Sequence, residues 1–187
     1  TALGKLNCSY NSIGTLDLSN NKALFSLSCY NCELGSLDLS NNTELEEAVV
    51  KNNELTSLTV SSNTKLLLLD VQNNEQLKSI DASMLTDLEE LQCSYTGLTD
   101  LDVTHNTKLI KLICSNNKLT TLDLSKNTLL ERLFCDGNQL TSLDLSNNTK
   151  LNYLECSGNG MSACALNDLY YNLPKCSTTP TKVNMFI

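Results

Sequence analysis

The chain has 187 residues, a length that fits one domain with a sizeable core. It is acidic, with 21 Asp and Glu against 13 Lys and Arg and a net charge of -8, which argues against a nucleic-acid partner because proteins that bind phosphate backbones carry basic surfaces. No apolar run approaches the roughly 18 residues of a membrane span, so we expect no membrane insertion by this segment.

The sequence repeats itself with a period of 21 residues, interrupted by one step of 22 between Leu66 and Leu88. The period is marked by a leucine at constant phase, namely Leu3, Leu24, Leu45, Leu66, Leu88, Leu109, Leu130 and Leu151. A period in this range is typical of a solenoid, in which each coil buries its apolar face by stacking on its neighbours.

Each repeat has two halves, which read LxxLxCxxN and LxxLDLSxN. Alternation of apolar and polar positions predicts a short strand in each half, and each asparagine predicts a change of chain direction. We therefore predict a mainly β solenoid of about eight coils of 21–22 residues, each with two strands and two asparagine corners. Residues 72–87 should be the least regular part, because the extra residue falls there and Leu85 replaces a corner asparagine.

The repeats resemble those of bacterial leucine-rich-repeat surface proteins with 21-residue, cysteine-bearing repeats, the internalin J-like group that includes surface proteins of gut bacteria. The resemblance runs from Leu3 to about Asn159, most of the chain. It implies a leucine-rich-repeat fold and an extracellular or cell-surface location in a bacterium. It says less about function, because members of the family share a scaffold and differ in what they bind.

The repeat pattern ends at about residue 160, and apolar residues then recur at helical spacing, at Met161, Ala165, Leu166, Leu169 and Leu173. This pattern predicts a helix over about 162–173 that caps the open end of the core, followed by a short strand-like tail. We therefore divide the chain into a solenoid (1–160) and a C-terminal cap (161–187). Because Thr1 enters the pattern without a polar cap, we expect the chain to be part of a longer protein.

Six of the nine cysteines occupy one strand position, at Cys8, Cys29, Cys93, Cys114, Cys135 and Cys156. Val50 and Val71 fill the same position in the two remaining copies, and valine replaces a small buried apolar group but neither a metal ligand nor a disulfide partner. In-register parallel strands also hold Cβ atoms about 4.8 Å apart, wider than the roughly 3.8 Å of a disulfide. We predict a buried ladder of free thiols.

Metal and cofactor sites are not expected. Cys29 and Cys32 form a C-x-x-C pair, but no second pair follows and His105 is the lone histidine, whereas a closed zinc site needs four ligands. A column of aspartates in the LDLS half suggests either calcium binding or a solvated strand face that bonds nearby Ser and Thr. We favour the second, because single carboxylates one strand apart do not converge on an ion.

The sequence leaves open whether Cys164 forms a disulfide with Cys176.

The outward positions of the cysteine-bearing strand vary between copies, whereas those of the LDLS half are nearly uniform. Alternation along a strand places the variable positions on one solvent face. Apolar, aromatic and cationic side chains on such a face are typical of binding sites. We predict a ligand-binding face formed by Tyr30, Val49, Leu68, Lys111, Ile113, Arg132, Phe134 and Tyr153.

We therefore predict a non-catalytic module for protein binding or adhesion, part of a bacterial exported or cell-surface protein. Its partner is an unidentified protein, for which a host or cell-surface protein is one candidate. One alternative is a passive spacer that displays another domain. Another is a carbohydrate-binding surface protein in which Phe134 and Tyr153 stack on sugars. An enzyme is not expected, because His105 has no predicted nucleophile beside it, the ladder thiols point inward, and no glycine-rich phosphate loop is present.

Overall fold

The structure is a computed structural model that describes residues 2–173 and 182–184. Its main feature is a nine-stranded parallel sheet, to which each cysteine-bearing half contributes one three-residue strand. The strands of this sheet are β1 (Lys5–Asn7), β2 (Ser26–Ser28), β4 (Glu47–Val49), β6 (Leu68–Asp70), β7 (Glu90–Gln92), β8 (Lys111–Ile113), β9 (Arg132–Phe134), β10 (Tyr153–Glu155) and β11 (Lys182–Asn184). A separate two-stranded sheet contains β3 (Ser36–Asp38) and β5 (Ser57–Thr59).

Successive strands of the main sheet pair in register, one coil per step. Lys111 lies beside Arg132, which in turn lies beside Tyr153. The step of 22 residues does not shift this register, since Leu68 lies beside Glu90. The predicted solenoid with one strand per 21-residue coil is thus confirmed for the cysteine-bearing half.

The LDLS half differs from the prediction, because within the described residues it forms strands in two coils rather than in all of them. Where β3 and β5 pair, the N–H of Leu39 donates to the carbonyl of Thr59 at 3.0 Å. Elsewhere clefts open between successive LDLS segments, for example a cleft of about 260 Å³ beside Asp123 and Asp144. Within the described residues, strand pairing between coils is thus continuous on the cysteine-strand side and limited to one pair on the LDLS side.

The extra residue of the 22-residue step forms a turn at Glu75 and Gln76, closed by a 2.9 Å hydrogen bond from the N–H of Leu77 to the carbonyl of Asn74. The expected irregularity of residues 72–87 is confined to this turn. Leu85, which replaces a corner asparagine, is fully buried. The next coil still reaches it, because Nδ2 of Asn106 donates to the Leu85 carbonyl at 2.7 Å.

In five coils, the corner after the cysteine-bearing strand is held by an asparagine that bonds two coils at once, whereas Cys32 and Thr96 replace this asparagine in two others. Nδ2 of Asn117 donates to the carbonyls of Cys114 in its own coil and Cys93 in the preceding one, at 3.0 and 2.8 Å. Its Oδ1 accepts from the N–H groups of Gly97 and Leu98 at 2.9 and 3.1 Å. One buried carboxamide thereby satisfies both donors and acceptors where the chain turns.

The residue before this corner has a left-handed backbone in all eight coils, with φ between 54 and 63°. These residues are Tyr10, Asn31, Asn52, Asn73, Tyr95, Asn116, Gly137 and Gly158. Asparagine and glycine tolerate this region, whereas a tyrosine there costs about 1–2 kcal/mol. The turn is therefore imposed by the coil geometry even where the residue opposes it.

The interior is a column of leucines flanked by the cysteine ladder. Cys29, Cys93, Cys114 and Cys135 have no exposed surface, so the predicted inward position of the ladder is confirmed. These thiols are unpaired within the described residues. Burial raises the pKa of Cys29 and of Cys93 to about 12, and it raises the pKa of Cys114 and Cys135 well above the ordinary value.

We expect the buried ladder to resist thiol reagents while the chain is folded, because the thiolate is the reactive species. With a disulfide reagent at pH 8, Cys114 and Cys135 should react roughly a hundredfold or more slowly than the exposed Cys164. Peptide mapping by mass spectrometry at timed intervals measures this, with Cys164→Ser removing one equivalent from the fast phase. Fast labelling of Cys114 in the folded chain would contradict the buried ladder.

A helix, α1 (Ala163–Asn172), follows the last described coil, close to the predicted range of 162–173. The Ser162 hydroxyl caps it by accepting from the N–H of Ala165 at 3.2 Å. Leu169 is buried against the core, as expected of a helix that covers its open end. No helix in the described part of the chain is long and apolar enough to cross a membrane. Cys176, whose pairing with Cys164 was left open, lies outside the described residues.

Candidate binding face

The outward side of the main sheet carries two rows of side chains, set by the first and third residues of each strand. In the first row Lys111, Arg132 and Tyr153 are neighbours, and in the third-residue row Ile113 lies beside Phe134. The inward positions between them, such as Leu112 and Leu133, are fully buried. The predicted orientation of these site residues is thus what the structure shows.

Ile113, Phe134 and Tyr153 form a contiguous group, which we call the C-terminal patch. The rings of Phe134 and Tyr153 lie 4.8 Å apart between centroids at 31°, which is an offset, tilted contact. All three side chains are half-buried. The Tyr153 hydroxyl donates to the carboxylate of Glu155, which fixes the outer end of the patch.

A polar network separates this patch from the N-terminal part of the face. Lys51 pairs with the buried carboxylate of Asp70 at 3.1 Å, and Lys111 pairs with Glu90 at 2.6 Å. Gln92 links to Glu90 through a 2.6 Å hydrogen bond. Lys111, predicted as a binding cation, is therefore already engaged within the sheet.

Arg132 is exposed and makes no ion pair with another residue that the structure describes. Of the two predicted cations it is thus the one available to a partner. Its fixed, planar guanidinium suits a carboxylate or a backbone carbonyl of a bound protein.

The N-terminal part of the face holds Tyr30 and Val49, both half-buried. Tyr30 packs edge-on against Tyr10, with ring centroids 5.0 Å apart, and lies 5.9 Å from Nζ of Lys51. Tyr10 is 74% exposed, the second most exposed large apolar side chain in the described part of the chain. Sequence reasoning missed Tyr10 because it sits in the left-handed turn after the strand rather than within it. Leu68, the remaining predicted residue, is half-buried in the middle of the first row.

Sequence reasoning also missed a third row, which precedes the strands and which we call the edge row. It contains Phe25, Glu46, Leu67, Glu89, Ile110 and Glu131. The N–H groups of Ile110 and Lys111 both donate to the carbonyl of Glu89, at 2.8 and 3.1 Å, where the chain enters β8, and Ile110 stays 36% exposed. Simple alternation does not reveal such a position.

The aspartate column of the LDLS half serves its own backbone. Oδ1 of Asp123 accepts from the N–H of Ser125 at 2.9 Å, and the equivalent bond recurs at Asp17, Asp38, Asp81, Asp102 and Asp144. These backbone bonds are the main cause of the lowered carboxyl pKa at Asp17, Asp38, Asp123 and Asp144. At Asp81 and Asp102 the hydroxyls of Ser83 and Thr104 contribute most to the lowered pKa. The aspartates therefore make the hydrogen bonds to nearby Ser and Thr that were expected from the sequence.

Similar solved structures place this face in a known architecture. The functional domain of InlJ from Listeria monocytogenes, which includes a cysteine ladder, is 43% identical over 89% of this chain, with a TM-score of 0.85. The chain has the internalin-like leucine-rich-repeat fold. It spans 37% of that InlJ chain, a little over a third.

Two further Listeria monocytogenes structures share the fold at lower identity. Internalin C2 is 20% identical, with a TM-score of 0.83 over 98% of this internalin-like chain and 80% of its own. An internalin, InlF, is 24% identical, with a TM-score of 0.66 over 98% of this chain and 62% of its own. The chain matches no protein-family model and no curated protein. The domain thus has a leucine-rich-repeat architecture.

Proposed function

We propose that this internalin-like domain recognises a protein ligand and belongs to a bacterial exported or cell-surface protein. The observation that carries the proposal is the C-terminal patch of Ile113, Phe134 and Tyr153 on the solvent side of the sheet, with the exposed Arg132 beside it. Aromatic and arginine side chains dominate the energetics of protein interfaces. The similarity to the InlJ functional domain supports an extracellular location.

The scaffold favours binding because little has to be ordered when a partner arrives. Each strand of the face is hydrogen-bonded to its neighbours, as where the N–H of Cys114 donates to the Phe134 carbonyl at 2.8 Å. The Phe134 and Tyr153 rings already pack against each other. A preorganised surface keeps more of its contact energy as affinity, since less conformational entropy is lost.

We expect Phe134→Ala and Ile113→Ala to weaken ligand binding about tenfold or more each while the chain stays folded, because truncating a central aromatic or aliphatic anchor costs more than about 1 kcal/mol. The measurement uses the purified chain against an array of extracellular proteins, followed by titration of each hit with both variants. Ser125→Ala, in the LDLS half away from the sheet, is the matched control.

The same experiment distinguishes the other functions. A ligand whose affinity is unchanged in both variants would show that the sheet face is not the site. Binding to a parallel glycan array with loss in Tyr153→Ala would indicate carbohydrate recognition instead. The absence of any ligand on both arrays would favour a spacer that displays a neighbouring domain.

A further inference from the structure

Two cysteines of neighbouring coils lie side by side, Cys8 on the ladder of the first described coil and Cys32 at the corner of the second. The Cys32 thiol donates to the Cys8 carbonyl at 3.3 Å and to the Tyr30 carbonyl at 3.5 Å. Burial raises the pKa of the Cys8 thiol, and the neighbouring Cys32 thiol raises it further. The two sulfur atoms are thus close enough to influence each other's chemistry.

Cys32 stands where a corner asparagine ties one coil to the preceding one. At the same corner of the next coil, Nδ2 of Asn53 donates to the carbonyls of Cys29 and Val50, both at 2.8 Å. The Cys32 thiol keeps the equivalent bond to the preceding coil, at the Cys8 carbonyl, but a thiol is a weaker donor than a carboxamide. The cysteine therefore weakens the hydrogen bonding of this corner and brings a second sulfur to Cys8.

This pair differs from two neighbouring thiols of the ladder. Ladder thiols follow in-register strands, which hold their Cβ atoms about 4.8 Å apart, wider than in a disulfide. Cys32 lies beyond the end of β2, where the chain turns, so the strand register does not set its distance from Cys8. Cys8 is also within reach of a small reagent, because it is half-buried whereas Cys29 and Cys32 are buried.

We propose that Cys8 and Cys32 form a disulfide site that fastens the first described coil to the second when the chain meets a low-molecular-weight disulfide such as oxidised glutathione. The Cys8 thiolate attacks one sulfur of that reagent and releases one glutathione thiolate, which leaves a mixed disulfide. The Cys32 thiolate then attacks Sγ of Cys8 and releases the second glutathione. The two cysteines lose two protons and two electrons in all, and the reagent accepts the electrons.

The bond takes over the connection that asparagine makes at other corners. The proposed export of the domain would place it in oxidising surroundings, where such a bond persists. The pairing itself rests on the geometry of the two thiols and not on the proposed protein-binding function.

The test is oxidation of the whole chain carrying Cys164→Ser and Cys176→Ser, so that the seven remaining cysteines are the six of the ladder and Cys32. The folded chain is equilibrated with oxidised glutathione at pH 8, its free thiols are blocked, and tryptic peptides are mapped by mass spectrometry. We expect an intact mass lower by about 2 Da and one cross-link between Cys8 and Cys32. The ladder thiols from Cys93 onward should stay reduced.

Two further variants identify the partner of Cys8. Cys32→Asn restores the usual corner residue, so the chain should fold and the cross-link should be absent. Cys29→Val introduces the residue that the ladder has at Val50, and the cross-link should persist. A cross-link that survives Cys32→Asn or disappears in folded Cys29→Val would overturn the proposal. So would a folded parent chain that carries only a glutathione adduct, or no modification, at Cys8.

Hydrogen exchange tests whether the disulfide fastens the two coils. The N–H groups of Tyr10 and Ile13 donate across the junction to the carbonyls of Tyr30 and Cys32, at 3.0 and 3.1 Å. We expect these amides to exchange about tenfold or more slowly in the oxidised chain than in the reduced one, because the cross-link restrains opening of the junction. Cys32→Asn should show no difference between the two conditions. Equal exchange in the cross-linked and reduced chains would overturn the fastening role.

Discussion

Replacing Asn117 by alanine should destabilise the chain by about 3 kcal/mol or more, because each buried polar group left without a partner costs about 1–3 kcal/mol. The side chain bonds carbonyls of two successive coils and accepts from the backbone N–H groups of Gly97 and Leu98. Its Oδ1 also accepts from the hydroxyl of Thr96 at 3.0 Å. Chemical denaturation followed by circular dichroism measures the change in unfolding free energy.

The matched control is Asn127→Ala at the other type of corner. Nδ2 of Asn127 donates to the carbonyls of Val103 and Asn106, both at 2.9 Å, but its Oδ1 has no hydrogen-bond partner. Alanine there orphans fewer groups, so we expect a loss of about 1–2 kcal/mol. Leu85 already replaces the equivalent asparagine in the chain. Equal losses in the two variants would show that the carboxamide of Asn117 does not tie its coils as described.

Replacing Leu112 by alanine should cost about 2–5 kcal/mol, the usual range for a leucine truncated in a close-packed core. Leu112 has no exposed surface and lies between Leu91 and Leu133 of the adjoining coils. Alanine is compatible with the backbone here, since Ala48 occupies the same strand position. The loss should therefore report the cavity, and thermal and denaturant unfolding both measure it.

The neighbouring Ile113→Ala is the control for Leu112→Ala, because it removes an aliphatic side chain of equal size from the opposite face. Ile113 is half-buried rather than enclosed, so its truncation should cost about 1 kcal/mol or less. If Ile113→Ala were the more destabilising change, our assignment of the inward and outward faces of the strand would be wrong. The same variant serves the binding experiment, where its stability must be known.

Much of the cysteine-bearing half was predictable from sequence. Positions such as Leu112 and Cys114 recur in every coil as apolar or small residues. Their alternation with variable residues indicates a short strand with one buried face. The strands predicted for the LDLS half were largely wrong for a physical reason. Whether two such segments pair depends on how neighbouring coils stack, which no single repeat encodes.

The candidate site was predictable in its rows but not in its contacts. Alternation placed Lys111 and Phe134 on the solvent side of the sheet. It did not show that Lys111 forms an ion pair with Glu90. Ile110 was missed because it precedes the strand, where alternation does not predict its exposure. Tyr10 was missed because its exposure follows from a left-handed backbone, which the sequence signals by Asn or Gly in six coils but not at Tyr10 or Tyr95.

The corner asparagines bond to the preceding coil, as Asn117 donates to the carbonyl of Cys93. Because this contact is of the same kind from coil to coil, one coil can take the place of another. Insertion or loss of a whole repeat by unequal recombination would leave each junction with the same pairing. The domain can therefore lengthen by duplication and then diversify its outward residues. The area of the surface that faces a ligand can thus change during evolution while the fold stays the same.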